Sequence, residues 1–347
     1  AYFGENGAVT ELTGHFSRAS AHAEWADFAP LSPSNKVVST NAFLRLRTRF
    51  QPTESFEGSA YLAVAQGGPD ENERLASTSP HFALRREMDY HSLDLGAEGK
   101  FTFRQRDSLL LGVDQTRDRH QLMRVLQIDL TSGQETPATL DQGQKVFTRT
   151  GAYLQLLAPG GEDLEFTANV RQDHQNVYGS NTSHRVSLVY RFSDAVYGKV
   201  VHGTSYKAPS PYQLYGQPLY FMEFQGNPNL GTEGARTSEV EFGWEPSSHV
   251  LGKLNAFQNE VDHMIVLIPK GAFIPENAGR QRSSGLEGEL RVSAGRQLFH
   301  VTASTQRTRD FLSTPFQGEQ VQPAASYPRL TAAARWEFRT QARGTLE

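Results

Sequence analysis

The chain reads as all-β, an antiparallel meander of the kind that closes into a transmembrane barrel, and three observations predict it. Apolar and polar residues alternate with a period of two along most of its length, as half-buried strands require. Short and long connections alternate between those strands, the pattern of an outer-membrane barrel with short periplasmic turns and longer external loops. Hydrophobic residues are 37% of the 347 residues and mean hydropathy is −0.52. That undersupplies a large dry core but suits strands that turn one face to a polar interior.

Taken in order, the strands announce themselves by their stripes. Leu44, Leu46 and Phe50 stand opposite Arg45, Arg47 and Arg49. Leu93, Leu95, Ala97, Gly99, Phe101 and Phe103 oppose Asp94, Glu98 and Lys100. Leu164, Phe166, Ala168 and Val170 alternate with Glu165, Thr167, Asn169 and Arg171. Val240, Phe242 and Trp244 oppose Glu239, Glu241 and Glu245, and Leu286, Gly288, Leu290 and Val292 oppose Glu287, Glu289, Arg291 and Ser293. Leu330, Ala332, Ala334, Trp336 and Phe338 form the last stripe. Trp244 and Trp336–Phe338, close to turns, fit an interfacial aromatic girdle. No comparable stretch keeps a 3.6 period.

Short turns are expected at 51–55, 104–107, 159–162, 193–195, 246–249 and 295–297. Longer loops are expected near 66–80, 131–144, 172–182, 209–236, 269–279 and 312–326. Together they delimit about fourteen or fifteen strands. No fixed-period repeat marks a solenoid or propeller. The longest apolar run, 264–269, is far below the roughly 20 residues of a membrane helix. Zero cysteines exclude disulfides and thiolate metal sites, and a net charge of −4 leaves no basic footprint for nucleic acid. The N-terminus lacks a signal-peptide pattern and opens in mid-stripe, for which truncation is the expected reason.

Residues 203–230 carry the most specific wording: Tyr206-Lys207-Ala208-Pro209, Gln213-Leu214-Tyr215-Gly216 and Gly226-Asn227-Pro228-Asn229-Leu230. Around them stand Gly151–Gln155, Val170–His174, Thr237–Gly243, Phe257–Ile265, Asn277-Ala278-Gly279 and Gly285-Leu286-Glu287. In this order, across 145–340, they resemble the late-barrel landmarks of TonB-dependent outer-membrane receptors, the cobalamin receptors nearest. The resemblance implies a 22-stranded barrel closed by an N-terminal plug, with an energy-coupling box ahead of it, in the outer membrane of a Gram-negative bacterium. Nothing in 1–150 looks like a plug or coupling box, and the terminal aromatic closing strand is not seen. Residues 1–347 are therefore expected to form a partial receptor barrel.

The resemblance also implies a function: import of a bulky, scarce nutrient of the cobalamin or ferric siderophore class. Its partners would be that nutrient, a TonB-type coupling protein acting through the plug, and outer-membrane lipid. A barrel serving surface binding, sensing or attachment without transport, or a passive porin, stays open as the alternative. Tyr206, Lys207, Tyr212, Tyr215, Tyr220, Phe221 and Phe224 are candidate ligand contacts, since such rings bury much area at low entropic cost. The same residues would also serve to pack the loop on itself. Asn227-Pro228-Asn229 reads as a turn.

Asp70, Glu71 and Glu73 are a candidate calcium cluster in an external loop, since hard cations take several oxygens; a solvated acidic loop is the plainer reading. No other cofactor is called for. The eleven histidines are scattered. His174, His184 and His202 are candidates to face the lumen, but none lies between Lys207 and Asn229, where haem receptors of the family usually place one. Arg45, Arg47 and Arg49 are expected to face the lumen, because an arginine facing lipid at the midplane costs about 2–4 kcal/mol. Asp173-His174 and Asp262-His263 make no catalytic pair, since strand neighbours point to opposite faces. No nucleophile motif, phosphate loop or zinc spacing occurs, so no enzymatic activity is expected.

Overall fold

A computed structural model of the chain describes residues 2–3, 7–22, 25–26, 29–30, 35–75, 81–104, 106–218, 223–314, 318–324 and 327–338. Consecutive strands pair antiparallel across one curved sheet. They are Val9–Ala21, Val37–Thr53, Phe56–Pro69, Tyr90–Thr102, Ser108–Gln121, Gln144–Pro159 and Leu164–Gln175, then Gly179–Ser193, Val196–Lys207, Glu233–Ser247, Val250–Pro269, Phe273–Ala294 and Gln297–Thr314. The last of these pairs with both Gly318–Pro323 and Leu330–Phe338, one above the other. Among the described residues the two ends of the sheet do not pair with each other, so it forms an open arc of barrel wall.

The predicted alternation sorts the two faces. Leu44, Leu62, Leu95, Val113, Leu188, Phe242, Leu254 and Leu286 are all exposed on the outward side. Polar residues of the same strands point inward and bond to one another. Near the tight turns the outward residues become aromatic: Phe50, Phe101, Phe192, Trp244 and Phe338 are exposed there. Several meet each other, Phe56 with Phe101 at 4.8 Å and Tyr190 with Phe192 at 4.9 Å between ring centroids. This is one aromatic girdle on the turn side, as the stripes at Trp244 and Trp336 predicted. No helix among the described residues is long and apolar enough to cross a membrane, so any crossing is by strands.

Two-residue turns join Thr53 to Phe56, Ser193 to Val196, Ser247 to Val250 and Ala294 to Gln297, where short turns were expected. Two connections expected to be long are tight instead. Gln175 and Gly179 are joined by a hairpin turn in which the Gln175 amide oxygen accepts the N–H groups of Val177 and Tyr178. Pro269 and Phe273 are joined through Gly271, whose φ of +82° supplies the left-handed step. In both, the polar residues that suggested a loop belong to strands that outrun the apolar band.

The loop region also holds a small sheet with no counterpart in the sequence reading, Phe82–Glu87 with Arg124–Asp129 and Glu135–Pro137. Its buried Ala83, Val125 and Ile128 form a satellite core above the wall.

Leu254 sits in the middle of the outward band, between Phe242 and Gly288 on its neighbours. In the full-length receptor, Leu254→Arg is expected to destabilise the folded barrel by about 2–4 kcal/mol, read from the denaturant midpoint in lipid vesicles. The nearby inward position Asn255 is expected to accept arginine with little change.

Candidate ligand site at the mouth of the barrel

The loop between Lys207 and Glu233 is built from its own sequence signals. Ser210 caps the short helix Pro211–Tyr215: its hydroxyl accepts the Gln213 N–H at 3.1 Å, and the Gln213 side chain accepts the Ser210 N–H at 2.9 Å. This reciprocal capping box, with proline at the first helical position, sets where the helix starts after the strand Val196–Lys207. Leu214 is fully buried against Phe147 and Leu230. Gly226 passes so close to the helix that a Cβ there would lie 2.5 Å from the Gly216 nitrogen and 2.7 Å from that of Tyr215. Those are backbone atoms and cannot step aside.

The Asn-Pro-Asn motif pins the same loop to the next hairpin. Asn227 accepts the Asn229 N–H at 3.0 Å and donates its amide to the Pro275 carbonyl at 3.0 Å. Asn277 receives the Gly231 N–H at 2.8 Å and returns its amide to the Gly231 and His263 carbonyls. Lys207 and Glu233 close the base of the loop with a 2.9 Å ion pair. Gln217 makes two bonds to the Leu140 backbone, so the 209–232 and 131–144 loops are tied together. Ala208, Pro209, Leu214, Gly226, Asn227, Pro228, Asn229 and Leu230 thus belong to the framework of this loop.

The loop overhangs a pocket of ≈ 310 Å³ at the inner mouth of the wall. Thr116, Asp118 and His120 line it from one strand, Phe147 and Arg149 from the next, Gln175 and Tyr178 from the following hairpin, and Pro209 and Pro211 from the loop. Aromatic rings form a ladder across this mouth. Tyr90 stacks on His120 at 6.0 Å, His120 meets the edge of Phe147 at 5.4 Å, and Phe147 meets Tyr215 at 6.5 Å. Lys145 lies over the Tyr215 ring at 5.2 Å.

Below the pocket the inward wall is an ionic network. Arg171 grips Asp114 through two bonds of 2.7 and 2.9 Å and reaches Asp173 at 2.6 Å. Arg149 bridges the same two carboxylates at 3.1 and 3.3 Å. Tyr206 lies near Asp173 at the loop end of this network. Further along, Tyr153 donates to Glu98 at 2.9 Å, and Glu98 pairs with Arg47 at 3.2 Å. The quartet is electrically balanced, so it gives the lumen a polar surface without a strong field of one sign.

The candidate contacts named from sequence divide between these parts. Tyr206 lies near the ionic network, Lys207 joins the ion pair with Glu233, and Tyr215 the aromatic ladder. Tyr212 stacks on Phe224 at 4.4 Å, and its burial raises the phenol pKa above its ordinary value. Tyr220 and Phe221 lie outside the described residues. His120, Phe147, Arg149, Gln175 and Tyr178 were missed. Their signal was present, since 116, 118 and 120, and 147 and 149, are the inward members of their stripes at the loop end.

Two expectations are corrected. Asp70, Glu71 and Glu73 do not converge: Glu73 is fully buried and grips Arg86 through bonds of 3.0 and 2.5 Å. Asp70 accepts the backbone N–H and the amide of Asn72, which hold its carboxyl below the usual range, and pairs with Arg18. Glu71 offers its backbone carbonyl to Arg74. No group of three acidic or histidine side chains among the described residues is arranged to hold a metal ion. His174, His184 and His202 share the outward face with Val170, Val186 and Val200, so they do not line the lumen. They bond instead to Ser180, Thr204 and Ser238. Arg45, Arg47 and Arg49 do face inward, over Tyr61, to Glu98 and to Glu11.

A meander wall with an apolar outside, a polar inside and an anchored loop over its mouth defines an outer-membrane receptor barrel. The family model described as TonB dependent receptor-like, beta-barrel, matches residues 4–346. The chain belongs to that family and is a protein of the Gram-negative outer membrane. The vitamin B12 transporter BtuB of Vibrio vulnificus (strain YJ016) is 27% identical over 175 residues, 49% of this chain and 27% of that protein. BtuB of Vibrio cholerae serotype O1 (strain M66-2) is 39% identical over 99 residues, 28% of this chain and 15% of that protein. The chain thus spans about a quarter or less of the length of these curated relatives.

Among solved structures, the ferric yersiniabactin uptake receptor FyuA of Yersinia pestis superposes with a TM-score of 0.67 at 13% identity, covering 97% of this chain and 54% of that one. The copper transporter OprC superposes at 0.66 with 14% identity, covering 90% and 54%. At those identities the likeness concerns the fold alone.

Gly226→Ala is expected to force the 209–232 loop off its helix. In the full-length protein this should appear as new protease cleavage between Ala208 and Gly231 in folded barrels, where the natural sequence stays intact. Arg171→Ala leaves Asp114 and Asp173 facing each other with only Arg149 between them. A loss of about 1–3 kcal/mol is expected from the charged bonds removed, partly screened by solvent and measured by denaturant unfolding.

Proposed function

We propose that residues 1–347 form barrel wall of a receptor that imports a bulky, scarce nutrient across the outer membrane. Energy would come from the inner membrane through a TonB-type coupling protein. The observation that carries this reading is the mouth: an aromatic ladder and a pinned loop standing over a polar, electrically balanced lumen in a chain of this family. Broad rings offer contact area to a large ligand at low entropic cost, and Asp118 and the part-exposed Arg149 offer polar groups that orient it.

Of the two cargo classes, cobalamin is favoured, because the curated relatives reported above carry the name vitamin B12 transporter. The ligand is bound and passed on unchanged. Neither the pocket nor the wall below it pairs a nucleophile with a base, and the carboxylates of the quartet are committed to arginines. A non-transporting adhesin or a passive porin needs no loop pinned over a pocket, which makes both weaker readings.

Equilibrium binding to the full-length protein decides the cargo, with cyanocobalamin, a ferric catecholate siderophore and haem tested in turn. Cobalamin is expected to bind, and Tyr178→Ala and His120→Ala to weaken it by about tenfold each, near 1.4 kcal/mol, without altering barrel assembly. No binding by any of the three would defeat the nutrient-import reading for these classes.

A further inference from the structure

The three inward arginines of Val37–Thr53 are not alike. Arg47 pairs with Glu98 and Arg49 with Glu11, each at 3.2 Å. Arg45 has no carboxylate partner among the described residues, and its buried Nε makes no hydrogen bond there. A ring holds it instead: the guanidinium carbon lies 4.8 Å from the centroid of Tyr61. Such a contact positions a charge without neutralising it. Tyr61 is itself fixed in place. Its ring crosses Gly96 on the next strand, where a Cβ would lie 2.6 Å from it, and its hydroxyl donates to Asp94 at 3.3 Å.

These groups rim a cavity of ≈ 310 Å³ in the wall, with Phe43 on the rim beside them and the short side chains of Ala63, Ala65 and Ser92 as its floor. Of the lining residues only Val64 belongs to an outward stripe, so the cavity opens on the lumen. It adjoins the mouth pocket: Ser92 is the register partner of Asp118 and Asp94 that of Thr116, and Asp118 and Thr116 line that pocket. Its two ends differ in chemistry. Arg45 and Asp94 flank Ala63 on either side, two strand spacings or about 10 Å apart. The bonds Asp94 accepts, from Tyr61 and from Thr116 at 3.1 Å, both fall on Oδ1, and Oδ2 has none among the described residues. The cavity thus offers an uncompensated cation at one end, an acceptor at the other, and the part-exposed ring of Phe43 toward the mouth.

We propose that this cavity is a second cargo subsite, in which Arg45 takes an anionic group of the ligand and Phe43 packs against the part that carries it. Arginine holds a phosphate or carboxylate through paired N–H donors, and Asp94 accepts from amide groups alongside. The inference rests on the nutrient-import reading and narrows the cargo to a large molecule with an anionic arm close to hydrogen-bond donors. Cobalamin has that chemistry, a phosphate diester in its nucleotide arm and amides around its ring. With the broad ring at the aromatic ladder, the arm lies along the row from Asp118 past Ser92 to Arg45.

The test is equilibrium binding to the full-length receptor of cyanocobalamin and of dicyanocobinamide, the corrinoid without the nucleotide arm and its phosphate. The natural sequence is expected to bind cyanocobalamin about tenfold more tightly, the order that a hydrogen bond to a charged group contributes. R45Q is expected to bind the two alike, and R45K to keep part of the preference. Equal binding of the two by the natural sequence, or a preference that survives in R45Q, overturns the proposal. If the natural sequence does not bind cyanocobalamin, the cobalamin reading fails and an anionic ferric catecholate decides the subsite: about a tenfold loss is expected in R45Q, and no loss overturns it. If neither ligand binds, the import reading and the subsite fall together. Should R45Q not assemble on a heat-shift gel, F43A decides. It is expected to weaken binding of the anionic ligand about fivefold, and unchanged binding overturns the proposal.

Discussion

Every backbone N–H and C=O that enters the hydrocarbon layer must be satisfied by protein, and the rest of this structure depends on that constraint. A meander meets it locally, because each strand finds its partner in the next stretch of chain. The register then follows from the side-chain period: a slip of one residue would turn the whole apolar stripe inward and the charged stripe into lipid. Leu254 and Asn255 are adjacent in sequence, yet one faces lipid and the other the lumen. Pairing and patterning are thus two expressions of one requirement.

Inside the arc the same requirement takes another form. Arginines and carboxylates that cannot face lipid collect on the inner wall, where they neutralise one another in chains such as Arg47–Glu98–Tyr153 and the Asp114, Arg149, Arg171 and Asp173 quartet. Such a wall is polar and stiff at once. The loop above is stiffened differently, by a capped helix, a buried leucine and asparagine amides that replace missing ladder bonds.

Much of the fold was legible in the chain, because a half-buried strand writes its environment into alternate residues. The stripes at 93–103, 164–170, 240–244 and 286–292 lie on strands with the faces expected of them. Where strands leave the apolar band the signal fades, since both faces are then polar. That is why 172–182 and 269–279 read as loops although they are hairpins, and why the small sheet of Phe82–Glu87, Arg124–Asp129 and Glu135–Pro137 went unnoticed. The same fading misplaced His174, His184 and His202: the outward face above the membrane is as polar as the lumen, so only the count from Val170, Val186 and Val200 assigns them. Tyr215 was singled out for its motif, while His120 and Phe147 beside it carried no local mark.

By itself the sequence determined the class of wall, the face each striped residue takes and the side on which the short turns lie, because a period of two in contact with lipid admits one arrangement. It also marked the 209–232 loop as distinctive through Pro209, Gly226 and Asn227. Only the tertiary structure decided what that loop does, since its contacts join positions far apart in the chain: Leu214 to Phe147, Gln217 to Leu140, Asn227 to Pro275. The acidic triplet at 70–73 shows the difference most plainly. Its composition suggested an ion, and the long-range partner Arg86 claimed Glu73 instead. Local pattern specifies orientation; which groups meet is set by the register of strands the sequence does not place side by side.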